Sequence, residues 1–458
     1  MTSLAFALLL GLSVLAYVWN WQAARDIRTG GARLHSLSSF HGLYALLVVL
    51  MPLLLLVVIW TASQGTVVDR LLLASLPSDA FDAGDLGRRS LVLSEIKSIA
   101  VGRIFGDPEP WKLEAAAYLQ ALRERASLLL LILVGGLGVA LILLARRTVS
   151  PQFRARQGAE RIVMGLMVAC SVVAVLTTIG IFASLLFETI RFFRLVPLGE
   201  FLFGTRWEPQ IPIRADQIAA AGAFGVIPVV LGTLVIMVIA LTVAIPTGIF
   251  TAIYLNEFAS SRVRAWAKPM LEILSGVPTV VYGFFAILVV APALRSFGTS
   301  IGLPVAPNTA LAAGSVMGIM LIPFISSFTD DALNAVPRSL RDGALALGAT
   351  RAETMMNVLF PAAIPGIAGG ILLAVSRAIG ETMIVVMAAG LIASMTINPL
   401  NSVTTVTVQI VTLLIGDTAF DNPKTLAAFA LGMLLFLITL SINVLALRIV
   451  RRYRELYD

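Results

Sequence analysis

Nine stretches of the chain are apolar for about the 20 residues that a membrane-spanning helix needs. They are Leu4–Trp21, Gly42–Ala62, Ala126–Ala145, Ile162–Phe187, Ala223–Leu255, Met270–Leu294, Thr309–Phe328, Ala362–Ala393 and Leu426–Leu447. The fifth and eighth exceed one membrane thickness, and Pro246 and Pro365 inside them predict kinks or turns. The first stretch does not read as a signal peptide. Nothing basic precedes it, and it closes on Tyr17, Trp19 and Trp21, an aromatic cluster suited to a membrane interface.

Composition agrees with this pattern. Of the 458 residues, 58% are hydrophobic and only 13% charged, about half the charged share of a soluble domain. The expectation is an all-α polytopic membrane protein. Arginine asymmetry predicts its orientation. Arg146, Arg147, Arg154, Arg156 and Arg161 precede the fourth stretch, Arg262, Arg264 and Lys268 follow the fifth, and Arg448, Arg451, Arg452 and Arg454 follow the ninth. The segment Ser394–Pro423 holds only Asp417 and Asp421. This predicts a cytoplasmic C-terminus, an external N-terminus, Arg25, Arg28 and Arg33 inside, and an external segment 63–125 carrying an amphipathic helix at Trp111–Arg125. The net charge of +7 belongs to these loops and does not indicate nucleic-acid binding.

The chemistry of an enzyme is missing from the sequence. Cys170 is the one cysteine and lies in an apolar run, which predicts a small lipid- or core-facing residue. His35 and His41 are too few and too peripheral for a metal site or a histidine-based triad. No GxxxxGK[ST] run is present, so ATP hydrolysis is not expected of this chain, and no cofactor is expected on it.

Two motifs carry the functional expectation. The first is Asp330–Pro361, DDALNAVPRSLRDGALALGATRAETMMNVLFP. It predicts a short helix opened by Pro337, a reversal at Gly348, and a second helix capped by Thr350 with Glu353 and stopped by Pro361. An Ala/Leu-faced helix projecting between two spans has no lipid to cover it and suits a groove in another protein. The second is Arg377-Ala-Ile-Gly-Glu381-Thr382-Met383 within the eighth stretch. Four residues apart on a helix, Arg377 and Glu381 share a face, and their charge keeps that face on protein or water. A structural salt bridge is one reading. An anion pathway is the other: a guanidinium matches oxyanion oxygens, and a carboxylate accepts the proton that hydrogen phosphate carries and sulfate lacks. Lys268 and Glu272, one turn apart, predict a plain ion pair. Arg206 and Trp207 read as contacts to an external protein or as an interface anchor. Pro278 and Tyr282 predict a break either near a pathway or required only by packing.

Asp342-Gly343-Ala344-x-x-x-Gly348, nine positions, then Val358-x-Phe360-Pro361 resembles the EAA loop of ABC importer permeases. The departures are Asp for Glu, Gly for the first Ala, Val for Ile and Phe for Leu. Gly343 loosens the helix by about 1 kcal/mol relative to Ala. The Arg377–Met383 run resembles the RAIGET segment of phosphate-type permeases, Leu274–Gly283 their L-x-G-[IV]-P-[ST]-V-[VI]-Y-G segment, and Phe201–Pro209 the external F-L-x-G-x-x-W-x-P segment of the PstC type. The resemblance covers residues 151–458. It implies a type I, MetI-like six-helix permease core there, with residues 1–150 as an extension of three further transmembrane helices. It implies phosphate import across a bacterial cytoplasmic membrane. A homologous PstA-type permease, a cytoplasmic ATPase dimer and an external phosphate-binding protein are the implied partners. Arg341, Asp342, Gly343, Ala344 and Gly348 would couple to the ATPase, and Arg377, Glu381, Thr382 and Tyr282 would line the substrate pathway. The residues alone leave three rivals open: a permease for molybdate or sulfate, a proton-coupled secondary transporter, and a membrane scaffold reporting phosphate status to a sensor kinase.

Overall fold

The computed structural model describes residues 2–76, 86–103, 108–209, 222–415 and 422–454, which are overwhelmingly helical. Asp417 and Asp421 lie outside them. The chain divides into two compact units, Met1–Leu176 and Thr177–Asp458.

The first unit contains α1 (Thr2–Thr29), α2 (Ser38–Ser75), α3 (Leu86–Ala100), α4 (Pro110–Arg147) and the beginning of α5 (Ala155–Leu195). The sequence division at 150/151 falls in the turn before α5. In lipid, where apolar burial gives helices no reason to associate, small residues let backbones approach closely. Here Ala5, Ala16, Ala45 and Gly138 lie between α1, α2 and α4 together with Val49, Leu53 and Val134. Both α2 and α4 have 38 residues. At 1.5 Å per residue each is about 57 Å long, well beyond a hydrocarbon core of about 30 Å. Their far halves pack with α3 around Val68, Leu72, Ile96, Ala116 and Leu119. Lys97–Asp69 at 2.6 Å and Lys112–Glu95 at 3.1 Å flank this second core. The amphipathic segment Trp111–Arg125 is therefore the first third of α4 and not a separate helix.

The second unit continues α5 into α6 (Leu198–Phe203), then β1 (Trp207–Glu208) paired antiparallel with β2 (Ala223–Phe224). There follow α7 (Ile227–Ile253), α8 (Ser261–Gly276), α9 (Thr279–Phe285), α10 (Ala291–Ser300), α11 (Ala310–Ala335), α12 (Arg338–Ala346), α13 (Arg351–Thr354), α14 (Phe360–Ile379), α15 (Met383–Ala388), α16 (Val406–Leu414) and α17 (Pro423–Arg454). The core centres on α7 against α11, where Ile236, Ala240, Val316, Met317, Leu321 and Ile325 are buried. A Cβ added at Gly318 would stand 2.8 Å from the Ala240 carbonyl oxygen, so glycine sets the helix separation. A second cluster of Phe192, Phe201, Trp207, Phe224 and Leu431 closes the α5–β1 end.

Among the described residues nine helices are long and apolar enough to cross a membrane, matching the number of apolar stretches. Most spans extend beyond their apolar stretch, and three boundaries fall well inside it. The fifth span begins at Ile227, after β2. The sixth begins at Thr279, because Val277 and Pro278 are extended and separate it from α8, none of whose residues is buried. The eighth ends at Ile379. Pro246 and Pro365 lie inside α7 and α14 without ending them. Nor does Pro361 stop a helix. A π-helical turn, Met355–Leu359, precedes it and disrupts the i→i−4 ladder that proline cannot join, so the helix runs on.

Candidate functional site: an exposed coupling helix and a broken span

The segment between α11 and α14 folds as the sequence predicts at four of its five signals. Pro337 is the N-cap of α12. Gly348 has φ +91°, the left-handed region where a Cβ is strained, and Ala349 N–H closes the turn onto the Ala344 carbonyl at 3.1 Å. Thr350 and Glu353 form a reciprocal capping box at the start of α13. Only the Pro361 stop is absent. None of the α12 side chains is buried, and Leu340, Leu345 and Leu347 stand exposed, Leu347 at 91%. Asp342, Gly343 and Gly348 are exposed and Ala344 is half-buried.

Arg341 differs from its neighbours. Its guanidinium donates to the carboxylate of Glu257, whose side chain is only 4% exposed. Glu257 belongs to a second π-helical turn, Tyr254–Phe258, at the end of α7. The same turn is held from α8 and α11. Arg264 donates to the Leu255 carbonyl at 2.6 Å, and Asn256 Nδ2 donates to Asp330 Oδ1 at 2.8 Å and Asn334 Oδ1 at 3.0 Å. Lys268 donates to Asp330 Oδ2 at 2.6 Å. Lys268 therefore pairs with α11 and not with Glu272: a longer reach to a half-buried acid replaces the exposed pairing within α8. This network escaped sequence reading because its side-chain pairs lie 62 to 84 residues apart. Beside it Lys268, Glu272, Ser275, Phe324, Ser327 and Asp331 line a cleft of about 420 Å³.

The second motif differs more. Arg377 and Glu381 do not share a helix face. α14 ends at Ile379, with Gly380 as its C-cap. Glycine is the weakest helix former after proline, and Glu381 offers the backbone an alternative to continuing. Its Oε1 accepts the N–H groups of Met383 at 2.9 Å and Ile384 at 3.3 Å, which starts α15. Glu381 is 8% exposed, and its carbonyl also accepts the Thr407 hydroxyl at 2.9 Å. Thr382, half-buried, lies in the break with its hydroxyl 3.4 Å from the Gly380 carbonyl. Tyr282 is buried and donates its hydroxyl to the Leu274 carbonyl at 2.7 Å, bridging the break at Pro278. Next to it, a Cβ on Gly283 would lie 2.7 Å from Met387 Sδ, so α9 and α15 touch. Arg377 stands apart. It is exposed, its guanidinium lies 5.7 Å from the Phe324 ring centroid, and it meets no carboxylate among the described residues.

Irregular backbone at membrane depth must be satisfied within the protein. The polar run Ser402–Gln409 does this. Thr404, Thr405, Thr407 and Gln409 are buried. Gln409 donates to the Leu391 carbonyl at 3.0 Å and to Thr404 Oγ1 at 3.1 Å, and accepts the Trp207 indole N–H at 2.8 Å. Trp207 is therefore a core residue and not a surface anchor, while Arg206 beside it is exposed. Five polar residues between two apolar stretches were the signal for this packing.

The family described as "Phosphate ATP-binding cassette transporter" matches residues 6–177, and "Binding-protein-dependent transport system inner membrane component" matches residues 244–455. A probable ABC transporter permease of Bacillus subtilis, YqgH, is 30% identical over 277 residues, covering 60% of this chain and 85% of that protein. The phosphate transport system permease protein PstC of Xylella fastidiosa is 30% identical over 264 residues, covering 54% of this chain and 76% of that protein. PstC of Mesorhizobium japonicum is 31% identical over 242 residues, covering 49% and 72%. With nine helices among the described residues long and apolar enough to cross a membrane, and relatives of this kind, the chain belongs to the PstC-type permeases of binding-protein-dependent ABC transporters.

Proposed function

We propose that this chain is the translocating permease subunit of an ATP-driven importer of inorganic phosphate. The observation that carries the reading is Arg377: a guanidinium in the last turn of a membrane span, exposed and without a carboxylate partner among the described residues. An arginine at such depth costs several kcal/mol if it faces lipid, so its exposed side belongs on a water-filled path or a second subunit. There it offers paired donors to phosphate oxygens. The break at Gly380–Thr382 places irregular backbone beside it, and Glu381 holds that break open by capping α15. Tyr282 and Thr382, at the breaks of Pro278 and Gly380–Thr382, would line the path beside it.

The chain would not hydrolyse ATP. Separate cytoplasmic ATPase subunits would take Leu345 and Leu347 of the α12 segment into their grooves, beside Asp342, Gly343, Ala344 and Gly348, while Arg341 steadies the helix through Glu257. A homologous PstA-type permease would form the other wall, and an external phosphate-binding protein would deliver the anion. The C-terminus would be cytoplasmic and the N-terminus external, in a bacterial inner membrane. The test is labelled phosphate uptake in cells lacking other phosphate systems. Arg377→Ala is expected to lose at least about 90% of uptake, a change of roughly 1.4 kcal/mol or more in transition-state binding, with Arg377→Lys intermediate. Unchanged uptake in Arg377→Ala at normal membrane abundance refutes the assignment.

A further inference from the structure

One end of the first unit collects arginines beyond what its acids neutralise. The loop after α1 meets the turn before α5 through His35 N–H to the Pro151 carbonyl at 2.9 Å and Arg156 N–H to Ser36 Oγ at 3.4 Å. The end of α4 meets the end of α1 through Arg146 Nη1 to the Trp19 carbonyl at 3.3 Å. Arg25, Arg28, Arg33, Arg146, Arg147, Arg154, Arg156 and Arg161 are thereby brought to one end, against Asp26 and Glu160. Glu160 already pairs with Arg156 at 2.7 Å.

Within this end is a cavity of about 490 Å³ between the last turns of α1 and the start of α2, lined by Trp21, Arg25, Arg28, Thr29, Ser38 and Ser39. Neither Arg25 nor Arg28 has a carboxylate partner among the described residues; Arg25 lies over the Trp21 ring, 5.5 Å from its centroid. Ser38 is 8% exposed, lines the cavity, and makes no side-chain hydrogen bond among the described residues. α2 itself starts without a side-chain cap. Two guanidiniums without a carboxylate partner, the Ser38 hydroxyl and the uncapped amide N–H groups of α2 make a lining rich in donors and positive in charge, with Leu37 as its apolar member, which suits a phosphate group and disfavours a cation. Trp21 marks the membrane–water interface.

We propose that this cavity is a phosphate-group site, distinct from the Arg377 region, which holds either an anionic phospholipid headgroup or free orthophosphate. Lipid and ion present the same tetrahedral oxyanion, and the cavity's position at an interface admits both. Neither source depends on the chain's importing phosphate.

The test uses the full chain in nanodiscs of phosphatidylcholine with or without phosphatidylglycerol. Native mass spectrometry counts retained lipid, and equilibrium dialysis with labelled orthophosphate measures ion binding. The double variant Arg25→Gln/Arg28→Gln is compared with Arg125→Gln on the far half of α4. Ser38→Ala serves as a milder second variant that keeps both charges, and melting temperature verifies folding. If the headgroup is the ligand, phosphatidylglycerol retention falls about thirtyfold in the double variant and measurably in Ser38→Ala, with orthophosphate unbound. If the free ion is the ligand, orthophosphate binds in pure phosphatidylcholine discs and is lost in the same variants. Folded variants that retain both ligands as the wild type does, or an equal loss in Arg125→Gln, overturn the proposal.

Discussion

The ion pair between Arg341 and Glu257 ties the exposed helix α12 to the π-helical turn after α7, and removing its two halves should have unequal effects. The Glu257 side chain is 4% exposed and that of Arg341 37%. Arg341→Ala strands a carboxylate that has no other partner among the described residues. Stranding a fully buried charge costs about 3–5 kcal/mol. Arg341 is more than a third exposed, so solvent screening of this pair brings the expected loss down to about 2 kcal/mol. Glu257→Gln keeps an acceptor of the same shape, and the freed guanidinium can turn to water, so about 1 kcal/mol is expected. The double variant should lose about 2 kcal/mol, no more than Arg341→Ala alone, giving a coupling energy of about 1 kcal/mol. The stability arm is denaturant or thermal unfolding of the purified chain. The functional arm is reconstitution with ATPase subunits and binding protein, reading phosphate moved per ATP hydrolysed. A loosened α12 should lower that ratio more than it lowers hydrolysis itself. Equal destabilisation by the two single variants, together with an unchanged transport-to-hydrolysis ratio, refutes the tether.

Three further outcomes are expected. A reporter active only outside the cytoplasm, fused at positions 1, 30, 95 and 155, should be active at 1 and 95 alone; activity at 30 or 155 inverts the orientation read from the arginines. Gly232→Ala should destabilise the second unit by about 1–3 kcal/mol, because its Cβ would stand 2.1 Å from the Thr404 carbonyl oxygen, and a thermal shift no larger than that of Gly343→Ala, where nothing lies within 4 Å, contradicts the packing. A cysteine at Ala346 should crosslink to cysteines in the ATPase groove, and a complex that assembles and hydrolyses ATP without any crosslink removes α12 from that interface.

Much of this architecture follows from local chemistry and is legible in the chain. Each of the nine apolar stretches contains a spanning helix because a hydrocarbon environment forces continuous backbone hydrogen bonding on any such run. The turn at Gly348 and the Thr350–Glu353 box are likewise settled by residues within five positions of each other. Contacts across long separations, and competition between neighbouring signals, were not legible. The spacing of Arg377 and Glu381 promised a shared face, yet Gly380 ends the helix between them and the Glu381 carboxylate finds backbone donors nearer than the guanidinium. Lys268 had an acid one turn away in Glu272 and takes Asp330, because tertiary packing brings a half-buried acid within 2.6 Å. Thr404, Thr405, Thr407 and Gln409 are polar residues between two apolar stretches, and nothing in their local sequence tells whether they meet water or protein. Only the fold shows them buried as the hydrogen-bonding lining of a broken span. A one-dimensional pattern records how polar a segment is, but which backbone groups need those polar atoms is decided in three dimensions.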